Sequence, residues 1–265
     1  MLVRVLVLSS GGKDSCYAVW WALLQGWEVA GIVTVRVSGD DSMMFQLPST
    51  ALAGLQAASA GIPWLPVIVS GEPEVEIGQL ETALLPQVRG IADSLDEVHS
   101  NNWTEEEWAT FWPPNWPRPA NLMRMHSQTP IDGLVSGALR SDYQRTRLDR
   151  MAERLAIKSF APLWHNSASK HMQDLLEQRF SMMLTSVSAD GLTEEWVGRS
   201  LDQQSLGELG VVAARYGFTV DGEGGEFETA VVSAPWMNSR ISIEGTPLWQ
   251  GQRGQFDIET ASLTE

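Results

Sequence analysis

The residues best suited to chemistry stand near the start of the chain, in the stretch Ser9-Ser10-Gly11-Gly12-Lys13-Asp14-Ser15. An apolar run at residues 2–8 precedes this stretch, and apolar residues at helical spacing follow it. That order predicts a buried strand, a glycine turn and a helix N-terminus, which together form a site for phosphate. Gly11 and Gly12 would let the backbone approach an anion closely, and Lys13 would supply a positive charge.

The polar side chains of this loop make the prediction of a phosphate site more specific. Ser10 and Ser15 offer hydroxyl donors, and Ser10 could also cap the helix that follows. Asp14 is unusual in a bare phosphate site and suggests a Mg²⁺ ion beside the phosphate. The loop is not a Walker A motif, because an aspartate follows the lysine, and it is not a GxGxxG motif. It resembles the SGGxDS pyrophosphate loop of the N-type ATP pyrophosphatases, which split ATP into AMP and pyrophosphate; the alternative is a glycine turn with a capping serine.

Composition narrows the class of protein. The chain has 265 residues, with 18 Lys and Arg against 33 Asp and Glu, and a net charge of −15. Such an acidic chain binds nucleic-acid phosphates poorly. The single cysteine, Cys16, excludes an internal disulfide or a CxxC site, and we expect it in the core. The four histidines lack metal-ligand spacing, so we expect no zinc site.

No apolar run is long enough to span a bilayer. Residues 1–8 are too short for a secretory signal and lead directly into the phosphate loop. We therefore expect a cytoplasmic protein that binds neither membrane nor nucleic acid.

Alternating strands and helices predict an α/β fold with a doubly wound parallel sheet. Predicted strands lie at residues 2–8, 28–35, 64–69 and 132–139, with helices after the phosphate loop, at 50–60, at 73–88 and from Asp142. Ligands bind beyond the carboxyl ends of such strands, where the phosphate loop and residues 42–46 would lie. The later part is expected to hold helices at 173–179 and 206–216 and strands at 181–187, 230–233, 240–244 and 256–260.

We predict two domains, at residues 1–155 and 156–265. The first would carry an insertion at about residues 94–130, rich in tryptophan and proline. Its tryptophans either pack locally or form a surface for a partner.

A second functional centre is the run Glu223-Gly224-Gly225-Glu226-Phe227-Glu228-Thr229. Its two glycines permit a tight turn, and its three glutamates concentrate negative charge beside an aromatic ring. Such a loop suits an organic cation, ammonium or Mg²⁺. The alternative is a solvated hairpin turn with exposed acids.

Read together, several stretches identify a resemblance to the diphthine–ammonia ligase (diphthamide synthetase) family of ATP pyrophosphatases. The matching pieces, in the family's order, are residues 10–15, residues 42–46, Gly137, Asp142-Tyr143-Gln144-Arg145, Arg147, Ala161-Pro162-Leu163-Trp164, Trp196-Val197-Gly198-Arg199 and residues 223–229. The resemblance implies an ATP-binding α/β domain of the adenine nucleotide alpha hydrolase (HUP) type, followed by a smaller α+β domain. It also implies that ATP adenylates the carboxylate of diphthine on translation elongation factor 2. Ammonium then displaces AMP to give diphthamide, and pyrophosphate is the other product.

Site residues follow from the loop and the resemblance together. The predicted ATP-binding residues are Ser9, Ser10, Gly11, Gly12, Lys13, Asp14, Ser15, Thr34 and Gly137. The predicted catalytic residues are Lys13, Asp14, Arg147 and Glu226, with Asp14 also a candidate ligand for Mg²⁺. The predicted substrate-binding residues are Asp142, Tyr143, Glu223, Gly224, Gly225, Glu226, Glu228 and Thr229.

Some of these assignments have plain structural alternatives. Thr34 and Gly137 could be ordinary sheet core, and Arg147 could form a surface salt bridge. Asp142 either caps its helix or takes part in catalysis.

Three other functions stay open at this point. The chain could be a tRNA-modifying thiolase or lysidine-type ligase, although thiolases usually need more cysteines. It could amidate a small molecule, or it could bind a nucleotide without catalysis, against which the retention of Lys13, Asp14 and Ser15 argues. With no glutaminase nucleophile visible, ammonia would come from solution or from another chain; the oligomeric state, a homo-oligomer included, is open.

Overall fold

The computed structural model describes residues 2–38, 50–72, 75–91 and 103–264, and these form two five-stranded sheets. The strands of the first sheet are β1 (Arg4–Leu8), β2 (Glu28–Val37), β3 (Trp64–Val69), β4 (Gly133–Val135) and β5 (Lys158–Phe160). They are parallel throughout, in the order β3-β2-β1-β4-β5. The order reverses direction between β1 and β4, and sheets of this kind bind ligands at such a point. The predicted α/β fold with a parallel sheet is confirmed.

Helices lie on both faces of the first sheet. They are α1 (Lys13–Leu24), α2 (Thr50–Ala60), α3 (Val75–Arg89), α4 (Glu105–Phe111) and α5 (Asp142–Arg154). Alternate residues of β1 enter two separate apolar clusters, Val5 and Val7 in one and Leu6 and Leu8 in the other. Because side chains alternate across a strand, this division shows a sheet covered on both sides.

The second sheet is antiparallel and is centred on β6 (Ser181–Val187), which pairs with three of the other strands. Those strands and the last one are β7 (Ser200–Leu201), β8 (Phe227–Ser233), β10 (Arg253–Leu263) and β9 (Ile241–Gln250). Helices α6 (Ala168–Glu177) and α7 (Gln203–Tyr216) complete this half. One apolar cluster includes Cys16 of α1 together with Met172 and Phe227, so the second half packs on the helices of the first.

Most predicted element boundaries agree with the structure to within a few residues. Gly26 and Gly61, with φ of 73° and 64°, follow the ends of α1 and α2, where glycine commonly ends a helix. Strand β8 begins at Phe227 rather than at Ala230, which turns the end of the acidic run into strand. Strand β5 was not predicted; it extends the first sheet beside β4. The division of the chain at residues 155 and 156 stays a prediction.

The described tryptophans of the predicted insertion pack locally. Trp64 of β3 lies 5.3 Å from Trp103 and 6.1 Å from Trp112, between ring centroids. Trp112 and Trp116 are each only 5% exposed. These rings therefore form a small core over the edge of β3, as the local alternative predicted.

Residues 42–46 lie outside the described residues. Cys16 is fully buried, and burial raises the pKa of its thiol, as expected of a core cysteine. Within the described ranges no helix has both the length and the apolar character needed to cross a bilayer.

Candidate active site

A cavity of about 330 Å³ lies at the carboxyl edge of the first sheet, between β1, β4 and β8. The predicted site residues that line it are Ser9, Ser10, Gly12, Lys13, Asp14, Ser15, Gly137, Glu223, Glu228 and Thr229. The phosphate loop and the end of the acidic run, more than 200 positions apart in the sequence, thus face the same space.

The phosphate loop is shaped by its own hydroxyls. Gly11 has φ of 84°, a left-handed conformation that glycine adopts without strain. The Ser9 hydroxyl accepts from the N–H of Gly11 at 3.2 Å and donates to the Ser15 hydroxyl at 3.0 Å. Ser15 in turn donates to the carbonyl of Gly12 at 3.0 Å. Two of the three loop serines therefore hold the turn.

The suggestion that Ser10 caps α1 is wrong. Gly12 occupies the N-cap position, so the helix has no capping side chain of its own there. Instead, the N–H of Lys13 donates to Thr229 Oγ1 of β8 at 3.1 Å. A residue of the second sheet thus satisfies one of the donors that a helix N-terminus leaves open.

Strand β8 also holds the glycines of the loop. The N–H of Val231 donates to the carbonyl of Gly11 at 3.0 Å. Gln56 of α2, fully buried, donates from Nε2 to the carbonyls of Gly11 at 3.0 Å and Val231 at 2.8 Å. The conformation of the phosphate loop therefore depends on both halves of the chain.

Gly137 brings the β4–α5 connection against the first turn of α1. A Cβ atom at Gly137 would lie 2.7 Å from the carbonyl carbon of Asp14 and 2.8 Å from the nitrogen of Ser15. Only glycine allows this approach, so the residue positions the loop as well as lining the cavity.

Lys13, Asp14 and His171 form a chain of polar contacts at the cavity wall. Lys13 Nζ lies 2.8 Å from Asp14 Oδ2, and His171 Nε2 of α6 lies 2.7 Å from Asp14 Oδ1. Burial acts to raise the pKa of Asp14, but the charge of Lys13 and the hydrogen bond from His171 together hold it below its ordinary value. The carboxyl is therefore ionised and accepts from both neighbours.

Each carboxylate oxygen of Asp14 already accepts from a side chain of the protein, and the role of Asp14 as a ligand for Mg²⁺ stays a prediction. Among the described residues no group of three His, Cys, Asp or Glu side chains is placed to hold a metal ion.

His171 was not among the predicted site residues. It is 1% exposed and sits on the buried face of α6 with Met172 and Leu175. A single histidine on an otherwise apolar helix face was the only local signal, and core histidines give the same pattern.

Two glutamates of the acidic run face the cavity. Burial raises the pKa of both Glu223 and Glu228. Glu223 Oε1 accepts from the N–H of Arg140 at 3.0 Å. The Arg140 guanidinium forms an ion pair with the fully buried Asp221, so this arginine fixes the start of the acidic run. Arg140 was also missed, since nothing in its local sequence marks it.

Gly224, Gly225 and Glu226 of the acidic run do not line the cavity. Gly224 and Gly225 form an exposed turn, and the Gly225 carbonyl accepts from the Ser188 hydroxyl at 2.7 Å. Glu226 bends back so that its Oε1 accepts from the N–H of Thr219 at 3.4 Å. The predicted catalytic residue Glu226 is thereby directed away from the space that Glu223 and Glu228 share.

The residues of α5 that line the cavity differ from the predicted site residues of this helix. Ser141 is its N-cap and accepts from the N–H of Gln144 at 3.3 Å, so Asp142 does not cap the helix. Ser141, Gln144 and Leu148, at helical spacing, line the cavity.

Asp142, Tyr143 and Arg147 are not among the lining residues. The guanidinium of Arg147 lies 3.3 Å from the centroid of the Tyr143 ring, a cation–π contact beside the cavity.

Thr34 lies in β2 with its side chain turned from the cavity. It is fully buried, and its hydroxyl accepts from Trp64 Nε1 at 2.9 Å. Its neighbours Val33 and Val35 line the cavity instead, since successive side chains of a strand face opposite sides.

A doubly wound parallel sheet, with a glycine phosphate loop between its first strand and first helix, defines a nucleotide-binding protein of the pyrophosphate-loop class. Two family models match the chain: "Diphthamide synthase N-terminal domain" over residues 3–101 and "Diphthamide synthase C-terminal domain" over residues 167–264. The chain belongs to the diphthamide synthase family, and it is a ligase that uses ATP to form a carbon–nitrogen bond.

Relatives named diphthine–ammonia ligase align with most of this chain. The diphthine–ammonia ligases of Bos taurus and Homo sapiens are each 26% identical over 254 residues, which cover 92% of this chain and 84% of theirs. The diphthine–ammonia ligase of Schizosaccharomyces pombe is 26% identical over 258 residues, covering 96% of this chain and 38% of its own. A solved structure from Methanocaldococcus jannaschii, titled a predicted subunit of tRNA methyltransferase, covers 88% of this chain at 14% identity with a TM-score of 0.35.

Proposed function

We propose that this protein converts the carboxylate of diphthine on translation elongation factor 2 into the amide of diphthamide, with ATP and ammonium as the other substrates. Membership of the diphthamide synthase family supports the reaction. The observation that carries the proposal is the shared cavity, which the phosphate loop lines on one side and Glu223, Glu228 and Thr229 line on the other.

The chemistry explains why ATP is needed. A carboxylate does not react with ammonia in water, because the oxygen it would have to expel is a poor leaving group. In the proposed first step a carboxylate oxygen attacks the α-phosphorus, and pyrophosphate leaves. In the second step the nitrogen lone pair of ammonia attacks the acyl carbon, AMP leaves, and the surplus protons pass to solvent. The products are the amide, AMP and pyrophosphate.

The phosphate side of the cavity is assigned to the loop. Backbone N–H groups in the first turn of α1, other than that of Lys13, and the hydroxyl of Ser10 would hold phosphate oxygens. The ammonium of Lys13 would balance the charge that develops on the departing pyrophosphate. Mg²⁺ would enter with ATP, held by the phosphates, since Mg²⁺ commonly binds through substrate phosphates and water. Asp14 is assigned to orient Lys13.

The acceptor side is assigned to Glu223 and Glu228. Diphthine carries a trimethylammonium group, and two partly buried carboxyl groups suit either this cation or ammonium. Phe227 already lies under Lys13, whose Nζ is 5.9 Å from the ring centroid. The ring therefore supports the lysine, and recognition of the cation falls to the two acids. Because the acceptor is a translation factor, we place the reaction in the cytoplasm.

The test follows nitrogen into the product. The protein is incubated with ATP, Mg²⁺, isotopically labelled ammonium and elongation factor 2 bearing diphthine. Mass spectrometry of the modified histidine peptide should show the label, with AMP formed in equal amount. Lys13→Ala should abolish incorporation, whereas Lys158→Ala, at an exposed position of β5, should not. Full incorporation by Lys13→Ala, or AMP formation without label in the factor, would contradict the proposal.

A further inference from the structure

His171 is a buried polar side chain that no step of the proposed reaction uses. It lies on α6, in the second half of the chain, and is 1% exposed. Its ring packs edge-on against Tyr17 of α1, with the ring centroids 5.3 Å apart. Its Nε2 lies 2.7 Å from Asp14 Oδ1, a contact that joins residues 157 positions apart in the sequence.

The direction of this hydrogen bond follows from the carboxylate. Asp14 is ionised and can only accept, so the proton lies on His171 Nε2. The other carboxylate oxygen accepts from Lys13 Nζ at 2.8 Å. His171 and Lys13 therefore hold the two oxygens of one carboxylate, and the lysine occupies the position that faces the cavity.

We propose that His171 is a positioning residue for the phosphate loop. By holding Asp14 Oδ1 it fixes the carboxylate plane, and the second oxygen then keeps the Lys13 ammonium where ATP phosphates bind. In this arrangement the position of α6, in the second half of the chain, directly affects the geometry of the phosphate loop through the contact between His171 and Asp14. The inference rests on the proposed use of Lys13 toward ATP, but it does not depend on the identity of the acceptor.

The hydrogen bond from His171 restricts rotation of the Asp14 carboxylate about its side-chain bonds. Without Nε2, the carboxylate would turn on its side-chain bonds and carry the lysine with it, since the two groups are adjacent and ion-paired. The cost should appear in the interaction of Lys13 with ATP. Asp14, whose side chain is partly buried, would also lose one of the two side-chain contacts of its carboxylate.

Three variants of His171 distinguish a role in positioning Asp14 from a role in packing alone. His171→Leu keeps the volume and removes the donor, whereas His171→Gln keeps an N–H donor near the position of Nε2. His171→Asn is polar but too short to reach Asp14, and it serves if the leucine variant does not fold. His165→Asn is the matched control, because His165 is exposed and its φ of 59° suits asparagine.

Steady-state ATP kinetics and ATP binding by calorimetry are the readouts, with thermal unfolding measured beside them. Loss of a hydrogen bond to a charged group predicts a fall of roughly 10- to 100-fold in kcat/KM for ATP in His171→Leu and His171→Asn. His171→Gln should recover most of this loss at a similar unfolding temperature. His165→Asn should behave as the unaltered protein.

A double-mutant cycle with Asp14→Asn tests whether His171 acts through Asp14. Adding His171→Leu to Asp14→Asn should cost little beyond Asp14→Asn alone. Independent, multiplying losses would overturn the proposal, and so would unchanged ATP kinetics in a folded His171→Asn. Equal losses in His171→Gln and His171→Leu, with equally lowered unfolding temperatures, would assign the residue to packing alone. Calorimetry measures ATP binding without an acceptor, so the effect of the His171 variants can be measured even if the proposed reaction does not occur.

Discussion

Replacing Gly137 by alanine should damage ATP use through a single added methyl group. The backbone of Gly137 is not in the left-handed region, so alanine meets no conformational penalty and the whole effect is one of packing. The new Cβ would lie 2.7 Å from the carbonyl carbon of Asp14, where ordinary contact begins at 3.4 Å. The first turn of α1 must therefore retreat by the difference, 3.4 − 2.7 = 0.7 Å.

The size of the effect follows from that displacement. Overpacking of this kind costs about 1–3 kcal/mol of unfolding free energy. The atoms that move belong to the phosphate loop, and a misplacement of about 1 Å can reduce a rate by about 100-fold. We expect kcat/KM for ATP to fall by roughly 10- to 100-fold, and the unfolding temperature to fall by about 2 °C or more.

The assay is pyrophosphate release over a range of ATP concentrations, with thermal unfolding of the same samples. Gly207→Ala on α7 is the matched control, because among the described residues a Cβ at Gly207 would meet no atom within 4 Å. Alanine there should stabilise the helix by about 0.4–1 kcal/mol and leave ATP kinetics unchanged. Unaltered kcat/KM and unfolding in Gly137→Ala would refute the reasoning that the glycine sets the position of the loop.

Three further predictions concern β8 and the acidic run. Thr229→Val removes the acceptor of the Lys13 N–H at 3.1 Å and should lower the unfolding free energy by about 1 kcal/mol, whereas Thr229→Ser should not. Equal stability of the unaltered protein and both variants in denaturant would exclude a capping role. Burial raises the pKa of Glu228 in the folded protein above the ordinary carboxyl value of the unfolded chain. The stability of the fold therefore falls as pH rises from the ordinary pKa to the raised one, and the full loss persists at higher pH. Glu228→Gln should therefore raise the unfolding temperature at neutral pH and leave it unchanged near pH ~3, and identical pH profiles would contradict this. Glu226→Gln should leave amide formation unchanged, because Glu226 faces Thr219; a large loss of rate would restore it as a catalytic candidate.

The sequence is informative wherever local pattern and function coincide. The apolar run, the glycine turn and the helix after Lys13 predict β1, the phosphate loop and α1 correctly because each depends on neighbouring residues. Glycines at positive φ mark the ends of the first two helices for the same reason. Alternation of strands and helices then suffices for a parallel sheet.

Side-chain directions in the acidic run could not be predicted, because they depend on which strand the run joins. Strand β8 starts at Phe227, so Glu228 faces the cavity, whereas Glu226 precedes the strand and turns back. The N-cap of α5 likewise falls at Ser141, one residue before the predicted candidate. An error of a single residue at such a boundary therefore assigns a role to the wrong side chain.

Long-range polar partners are the other gap. Gln56, Arg140 and His171 hold the loop or the acidic run, yet each stands alone in its own sequence neighbourhood. Their partners lie 45, 83 and 157 positions away, so only the fold brings them together. A single sequence offers no local signal that would separate such residues from ordinary polar side chains.

The most direct test of the proposed function is pyrophosphate release from ATP, Mg²⁺ and ammonium, measured with and without elongation factor 2 bearing diphthine. The proposed function predicts release that requires the factor, with the amide appearing on its histidine in equal amount. Release at the same rate without the factor, or no release when both the factor and ammonium are present, would contradict it.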